Sequence, residues 1–403
     1  MKCEQQFFLK ILADHVKNQP TELPEEELDW TQMLAIIDMQ NLSGLAYTQL
    51  KSVLKGDDRF SEIGNKLRKA FLASIYSYTR RQQDFQELEE EFTRQNIPFL
   101  PMKGQVLSRY YPVPEVRTMG DIDFLIRPGD RQRSHEVLCK MGYVSQIPFD
   151  SVWDYFKKFV FYEVHDHLYY EPSFNQVDYG AYFDHVWEHA KPVDASSRYE
   201  MSENYHFIYL IVHTAKHMVN QGSGFRPFLD MVFLVRSAGE RMDWNWIQKE
   251  LSEICLLDFT KTCFALCERW FDVEMPLAFG ELDEKFYQDV TRKVFADGIF
   301  GQTNEENNVA SYSKTYHHSR WPYWWTAVSI MFCRLFPGYQ EMKEIPHYSF
   351  LNKRPYLLPA AWIYRYGYCI RYKFSDARER LREPFAMQDE IKKREERITK
   401  LGL

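Results

Sequence analysis

Arg117-Thr118-Met119-Gly120-Asp121-Ile122-Asp123-Phe124-Leu125-Ile126 is the stretch on which the reading of this chain turns. It is short and rich in branched and aromatic side chains, which predicts a buried strand over Asp121 to Ile126. In a strand, side chains two apart share a face and stand roughly 6 to 7 Å from each other. Asp121 and Asp123 therefore project together, while Ile122 and Phe124 anchor the opposite face. Two ionised carboxylates so placed repel by roughly 2 to 3 kcal/mol at an effective dielectric near 20. A cation, a basic side chain or proton uptake has to offset that repulsion. Oxygen donors of this kind suit Mg2+, or Mn2+ in its place. An exposed strand end shows the same pair, so the neighbouring residues decide between the two.

Upstream, the apolar run Ile97-Pro98-Phe99-Leu100 predicts another buried strand, and Lys103-Gly104 leads from it into a helical segment, Gln105 to Tyr110. A glycine that opens a helix lets backbone N–H groups face an anion, and Lys103 adds a point charge beside it. Gly120, directly before the aspartates, permits close backbone approach. Arg117 either offers a bidentate fork to a phosphate or pairs with Asp121 at the strand entrance.

Leu100-Pro101-Met102-Lys103-Gly104, Tyr111-Pro112 and Arg117 to Ile126 together resemble the uncharacterised nucleotidyltransferase family of the DNA polymerase β-like superfamily. The resemblance rests on the order K-G, Y-P, R-x-M-G-D-I-D. It extends more weakly through a helix with His213 and His217, the segment Arg226-Pro227-Phe228-Leu229-Asp230, and Leu357-Leu358-Pro359. It implies that Asp121 and Asp123 are the two metal-binding carboxylates and that Gly104 is the phosphate-cradling glycine. Gln105 stands where the superfamily has serine. A third carboxylate is implied from a later strand, and Asp178 fits, sharing a face with Gln176 and Gly180; the family's His-Trp after that position is replaced by Tyr179-Gly180. A surface aspartate at a strand end is the plain alternative for Asp178.

The implied reaction is in-line transfer of a nucleoside monophosphate from a nucleoside triphosphate to a hydroxyl, with pyrophosphate release. The acceptor is a small molecule or a protein. Asp121, Asp123 and Asp178 would hold the metal, with Asp178 as general base, while Lys103 and Arg117 offset triphosphate charge. Gly104, Gly120, His213 and Arg226 complete the expected substrate contacts. A catalytically silent nucleotide-binding or scaffold protein is the alternative, because the glycine-serine pair is missing. His213 and His217, four apart on one helix face, also fit a metallohydrolase, but no H-E-x-x-H pattern accompanies them, which favours a structural or substrate-facing role. Arg226 and Asp230 have the spacing of a helix-surface ion pair.

The rest of the chain bounds these readings. At 45% hydrophobic and 16% aromatic, 403 residues suffice for a large buried core in two or three domains. A net charge of -7 and a pI near 6.0 argue against a nucleic-acid backbone as main partner. Seven cysteines without a C-x-x-C pair fit neither a disulfide framework nor a cysteine zinc site, and predict a reducing, cytoplasmic environment. Phe7-Phe8-Leu9 is followed at once by Lys10, unlike a signal peptide. Trp324 to Cys333 and Tyr356 to Ile370 are too short, or too charged, to span a bilayer.

Helical periodicity fills residues 1 to 95 and returns from about Tyr205 to Phe295. Between them, strands are predicted at Phe159 to Val164, Leu168 to Glu171 and Gln176 to Tyr179, with a helix from Arg131 to Met141 and a strand from Tyr143. The fold class is α+β: a small mixed-sheet core (96–200) flanked by an N-terminal helical region (1–95), a helical domain (201–300) and an aromatic-rich helical C-terminal region (301–403). In that last region Trp321, Trp324, Trp325, Tyr356 and Trp362 are expected in the core, and Ala377 to Lys400 as a charged helix.

Overall fold

The computed structural model describes residues 1–55, 60–145, 152–170, 174–277, 280–299, 323–343, 346–351, 354–372 and 388–403. The chain forms two compact units, Met1–Gly301 with Lys400–Leu403, and Gln302–Thr399.

The first unit opens with helices α1 (Cys3–Lys17), α2 (Trp30–Met39), α3 (Ser43–Leu54) and the long α4 (Ser61–Arg94). Strand β1 (Phe99–Pro101), the single turn α5 (Gly104–Leu107), β2 (Ile122–Ile126), α6 (Arg131–Lys140), β3 (Val144–Ser145), β4 (Val152–Lys157) and β5 (Val160–His165) follow. After α7 (Tyr179–Phe183), β6 (Ala190–Pro192) and β7 (Tyr199–Met201) come helices α8 (Glu203–Asn220), α9 (Arg226–Ala238), α10 (Trp244–Glu253), α11 (Leu257–Phe271) and α12 (Glu284–Asp297). The architecture is α+β: a five-stranded mixed sheet with flanking helices.

The strand order is β1-β2-β5-β4-β3. β2 and β5 run parallel, and the other neighbours are antiparallel. Parallel neighbours cannot be joined by a hairpin; here the connection between them carries α6, β3 and β4. One face of the sheet is apolar. Ile122, Phe124 and Ile126 of β2, with Tyr162 and Val164 of β5, pack under Phe85, Leu88 and Phe92 of α4 and Val137 and Leu138 of α6. The three α4 residues recur at spacings of three and four, which puts them on one helix stripe. Phe92 meets Phe99 and Phe124 edge-on at 5.4 and 5.8 Å between centroids, the arrangement that ring quadrupoles favour.

The opposite face carries charge. The register pairs Asp123 with Glu163 across β2 and β5, and Glu163 with Asp154 across β5 and β4. His165 lies two residues beyond Glu163 on the same face. Beyond the sheet, α1, α8, α9 and α11 build the larger core, with Phe8, Ile11, Phe207, Ile211, Leu229, Phe264 and Trp270 fully or almost fully buried.

Two expected strands are corrected. Leu168 to Tyr170 is irregular, with Glu171 outside the described residues, and Gln176 to Tyr179 breaks where α7 begins. Asp178 is the N-cap of α7, its carboxylate accepting from Ala181 N at 3.0 Å. Satisfying an orphan helix donor is what a short acidic side chain does well, and that preference wins over strand formation. β4, in contrast, was not expected.

In the second unit Met342, Tyr348, Leu351 and Ala361 form a small core against which Trp362 packs. Trp325 and Tyr356, expected inside, are 46% and 74% exposed. Trp321 and residues 377–387 lie outside the described residues, and the charged terminus is helical over Gln388–Leu401. Among the described residues no helix is long and apolar enough to cross a membrane.

Candidate active site

β1 ends one residue before Met102, whose N–H donates to the Asp123 carbonyl at 3.0 Å. This ties the next residue, Lys103, to the charged face of β2. Lys103 adopts φ 48, ψ -126, a region that side chains rarely enter and that costs about 1 to 3 kcal/mol. Its ammonium donates to Asp123 Oδ1 at 2.5 Å. Lys103 is 23% exposed and Asp123 only 3%, so the pair sits at the floor of the site with one side towards solvent.

Around Asp123 the sheet register assembles further donors. His165 Nε2 lies 3.2 Å from Asp123 Oδ1 and 3.7 Å from Glu163 Oε2. One donor atom each from Asp123, Glu163 and His165 lies within 4.8 Å of the others. Asp121 stands just before β2. Burial, then the charges of Asp123 and Glu163, push its carboxyl up to about 6. Burial alone would raise Asp123 as well, but Lys103 and His165 outweigh it and hold that carboxyl well below the usual range. Burial likewise opposes the charge on Lys103, and Asp123 more than restores it. The site thus holds one carboxylate that its neighbours keep ionised and one that holds its proton more tightly than an ordinary aspartate.

Helix α8 contributes a wall. Tyr209 is buried, and its phenol is pushed up to about 12 by burial, with Lys103 opposing and Asp123, Glu163 and Asp121 adding to the rise. His213 is pushed well below the ordinary imidazole range by burial and then by the charge of Lys103. Its Nε2 meets His217 Nε2 at 3.1 Å. The two histidines share a hydrogen bond, and among the described residues they belong to no cluster with metal-ligand spacing.

Three expected site residues have other partners in the structure. Asp178 is an exposed helix cap, and the carboxylate grouped with Asp123 is Glu163. Arg117 is 6% exposed and bound in a fork to Asp230, Nε to Oδ1 and Nη2 to Oδ2, both at 2.7 Å. Tyr111 donates to the same Oδ1 at 2.7 Å. Arg117 is therefore paired with Asp230 of α9 and not with Asp121; a buried guanidinium needs a buried counterion, and Asp230 supplies it. Arg226, expected to pair with Asp230, instead donates to the Thr118 carbonyl at 3.2 Å and braces the approach to Asp121.

The two glycines behave differently. A Cβ on Gly104 would lie 2.5 Å from Arg117 Nη1 and 3.3 Å from Met119, so the guanidinium passes where a side chain would be. Gly120 is exposed, and a Cβ there would meet open space, so the packing of the chain itself does not require it.

Two side chains were missed. Arg81 of α4 feels the charge of Asp121, and its buried Nε has no hydrogen-bond partner among the described residues. Gln105 donates to Gln82 at 3.1 Å, which brings α4 against α5, and its buried Oε1 is likewise unpartnered. Glu163 was missed although its strand was expected. The alternation Tyr162-Glu163-Val164-His165 carried the signal, one polar residue between buried ones and a second polar residue on the same face.

The family described as uncharacterised nucleotidyltransferase matches the chain over residues 26–272, the span that holds every element of this site. No curated protein and no solved structure matches the chain.

Proposed function

From the premise that the chain belongs to the uncharacterised nucleotidyltransferase family, we propose that it moves a nucleoside monophosphate from a nucleoside triphosphate to a hydroxyl of a small-molecule or protein acceptor. The observation that carries this reading is the register of β2 on β5, which sets Glu163 beside Asp123, with Asp121 near enough to feel the charge of both.

The donor set fits a divalent cation. Buried carboxylates facing one another are costly without one, and the Lys103 ammonium already stands against Asp123 as a cation in miniature. Asp121, Asp123 and Glu163 would hold Mg2+ or Mn2+, which when bound neutralises triphosphate charge and lowers the barrier to attack at the α-phosphorus. Lys103, released from Asp123, is within reach of the phosphates, and Arg81 takes the phosphate role first expected of Arg117. Tyr209 and His213 on α8, both feeling the charge of Lys103, add two largely uncharged rings beside the carboxylates.

A silent nucleotide-binding protein remains the second reading, favoured by one observation: Lys103 can neutralise Asp123 without any metal. Pyrophosphate release from nucleoside triphosphates in the presence of Mg2+ or Mn2+ separates the two. The transferase reading expects release that Asp121→Asn and Asp123→Asn abolish with the fold intact, and binding without turnover across many acceptors favours the silent one.

A further inference from the structure

His165 is the feature that an all-carboxylate site does not need. It is 7% exposed, and its Nε2 faces Asp123 Oδ1 at 3.2 Å and Glu163 Oε2 at 3.7 Å. Its other nitrogen, Nδ1, is buried without a hydrogen-bond partner. Among the described residues no group therefore fixes the tautomer from behind, and the state of Nε2 follows what it faces: N–H towards a bare carboxylate, lone pair towards a cation. The backbone pairing of β2 with β5 fixes where all three donors start, so the imidazole is built into the sheet rather than borrowed from a loop.

Imidazole nitrogen is a poor ligand for Mg2+, which prefers oxygen and water, and a good one for first-row transition ions. We propose that His165 is itself a metal ligand and that the site thereby favours a first-row transition ion over Mg2+, with Mn2+ serving as the paramagnetic probe of that ligation. The inference rests on the metal-dependent reading above and narrows it to a cation class. Asp123 and Glu163 supply the oxygens, and His165 exchanges its hydrogen bond to Asp123 for a bond to the ion.

The test is spectroscopic and needs no turnover. Mn2+ is added to the full-length protein, and pulsed electron paramagnetic resonance reads whether a nitrogen nucleus couples directly to the ion. Calorimetry measures Mn2+ and Mg2+ affinities in parallel. The expected result is a coupled nitrogen in the wild type, retained in His213→Asn and lost in His165→Asn. In His165→Asn the affinity for Mn2+ should fall at least about tenfold, the lower end of what losing even an outer-shell partner costs, while Mg2+ affinity changes less. Bound Mn2+ without nitrogen coupling in the wild type overturns the inference and leaves the carboxylate site standing, and this spectrum depends on no variant's folding. Mn2+ binding unaffected by Asp123→Asn overturns both the inference and the reading beneath it.

Discussion

At the scale of single residues, the site is an arrangement of opposed charges whose members can be tested one at a time. Lys103 and Asp123 form a mostly buried pair, and removing the cation leaves a carboxylate with only His165 beside it. Lys103→Met should destabilise the protein by roughly 2 kcal/mol, less than for a fully buried pair because Lys103 keeps one side in solvent. Millimolar Mn2+ should restore part of that loss, which thermal melts with and without the ion will read. Glu163 and Asp178 form a contrasting pair. Asp178→Ala removes an N-cap and should cost about 1 kcal/mol with no effect on turnover. Glu163→Gln should leave stability nearly untouched and remove the reaction.

The residue scale also sets the response to pH. His15 and His206 are buried and neutral, and burial lowers both to about 4. Between about 6.5 and 4 the unfolded chain binds protons there that the folded chain does not. Stability from these groups is complete above pH 6.5 and is lost as pH falls towards 4, by roughly 3 kcal/mol for each. Asp121 acts in the opposite sense: raised to about 6, it favours the fold on the acid side and opposes it as pH rises through that value. Urea unfolding between pH 4 and 7.5 should show net acid destabilisation. His206→Gln, a neutral group at every pH, should flatten the slope; an unchanged slope in that variant would contradict the assignment.

At the scale of elements, the question is what positions the strands and the helix that carry the site. The aspartate pair and its strand were legible because period-two alternation is local, and Asp121-Ile-Asp-Phe carries it within four residues. β5 was legible too, shifted by one residue. Its functional content was not, because choosing Glu163 over Asp178 requires knowing that β5 lies next to β2 and in which register, a pairing between residues 40 apart. The strand expected at Asp178 is a helix cap instead, because an aspartate before aromatic residues reads equally as strand end or helix cap. The Arg117–Asp230 fork joins residues 113 apart and has no local signature. That fork locks the segment before β2 to α9, so Arg117→Met should cost about 3 kcal/mol by leaving Asp230 buried with the Tyr111 hydroxyl as a neutral donor and no counter-charge from Arg117. Chemical denaturation reads the cost. Nucleotide affinity measured on the folded fraction should change far less, and a specific loss of affinity without loss of stability would return Arg117 to the phosphate.

At the scale of the whole molecule, the family match spans 26–272, from α2 to α11. The charged face of the sheet and the α8 wall lie inside that span, and the α+β class was legible from the alternation of helical and strand-like periodicities. The second unit was less so: its aromatic segments suggested a core, yet Trp325 and Tyr356 face outward, because aromatic content alone does not say which faces find partners. The central claim for the molecule is that Glu163, with Asp121 and Asp123, forms the carboxylate set of a nucleotidyl-transfer site. Its most direct test is pyrophosphate release and label transfer from α-phosphate-labelled nucleoside triphosphates, supplied with Mn2+ and a mixed extract of small-molecule and protein acceptors. Wild type and Asp178→Ala should transfer label at similar rates while Glu163→Gln falls by on the order of a thousandfold; transfer that survives in Glu163→Gln, or is lost in Asp178→Ala, would contradict the account.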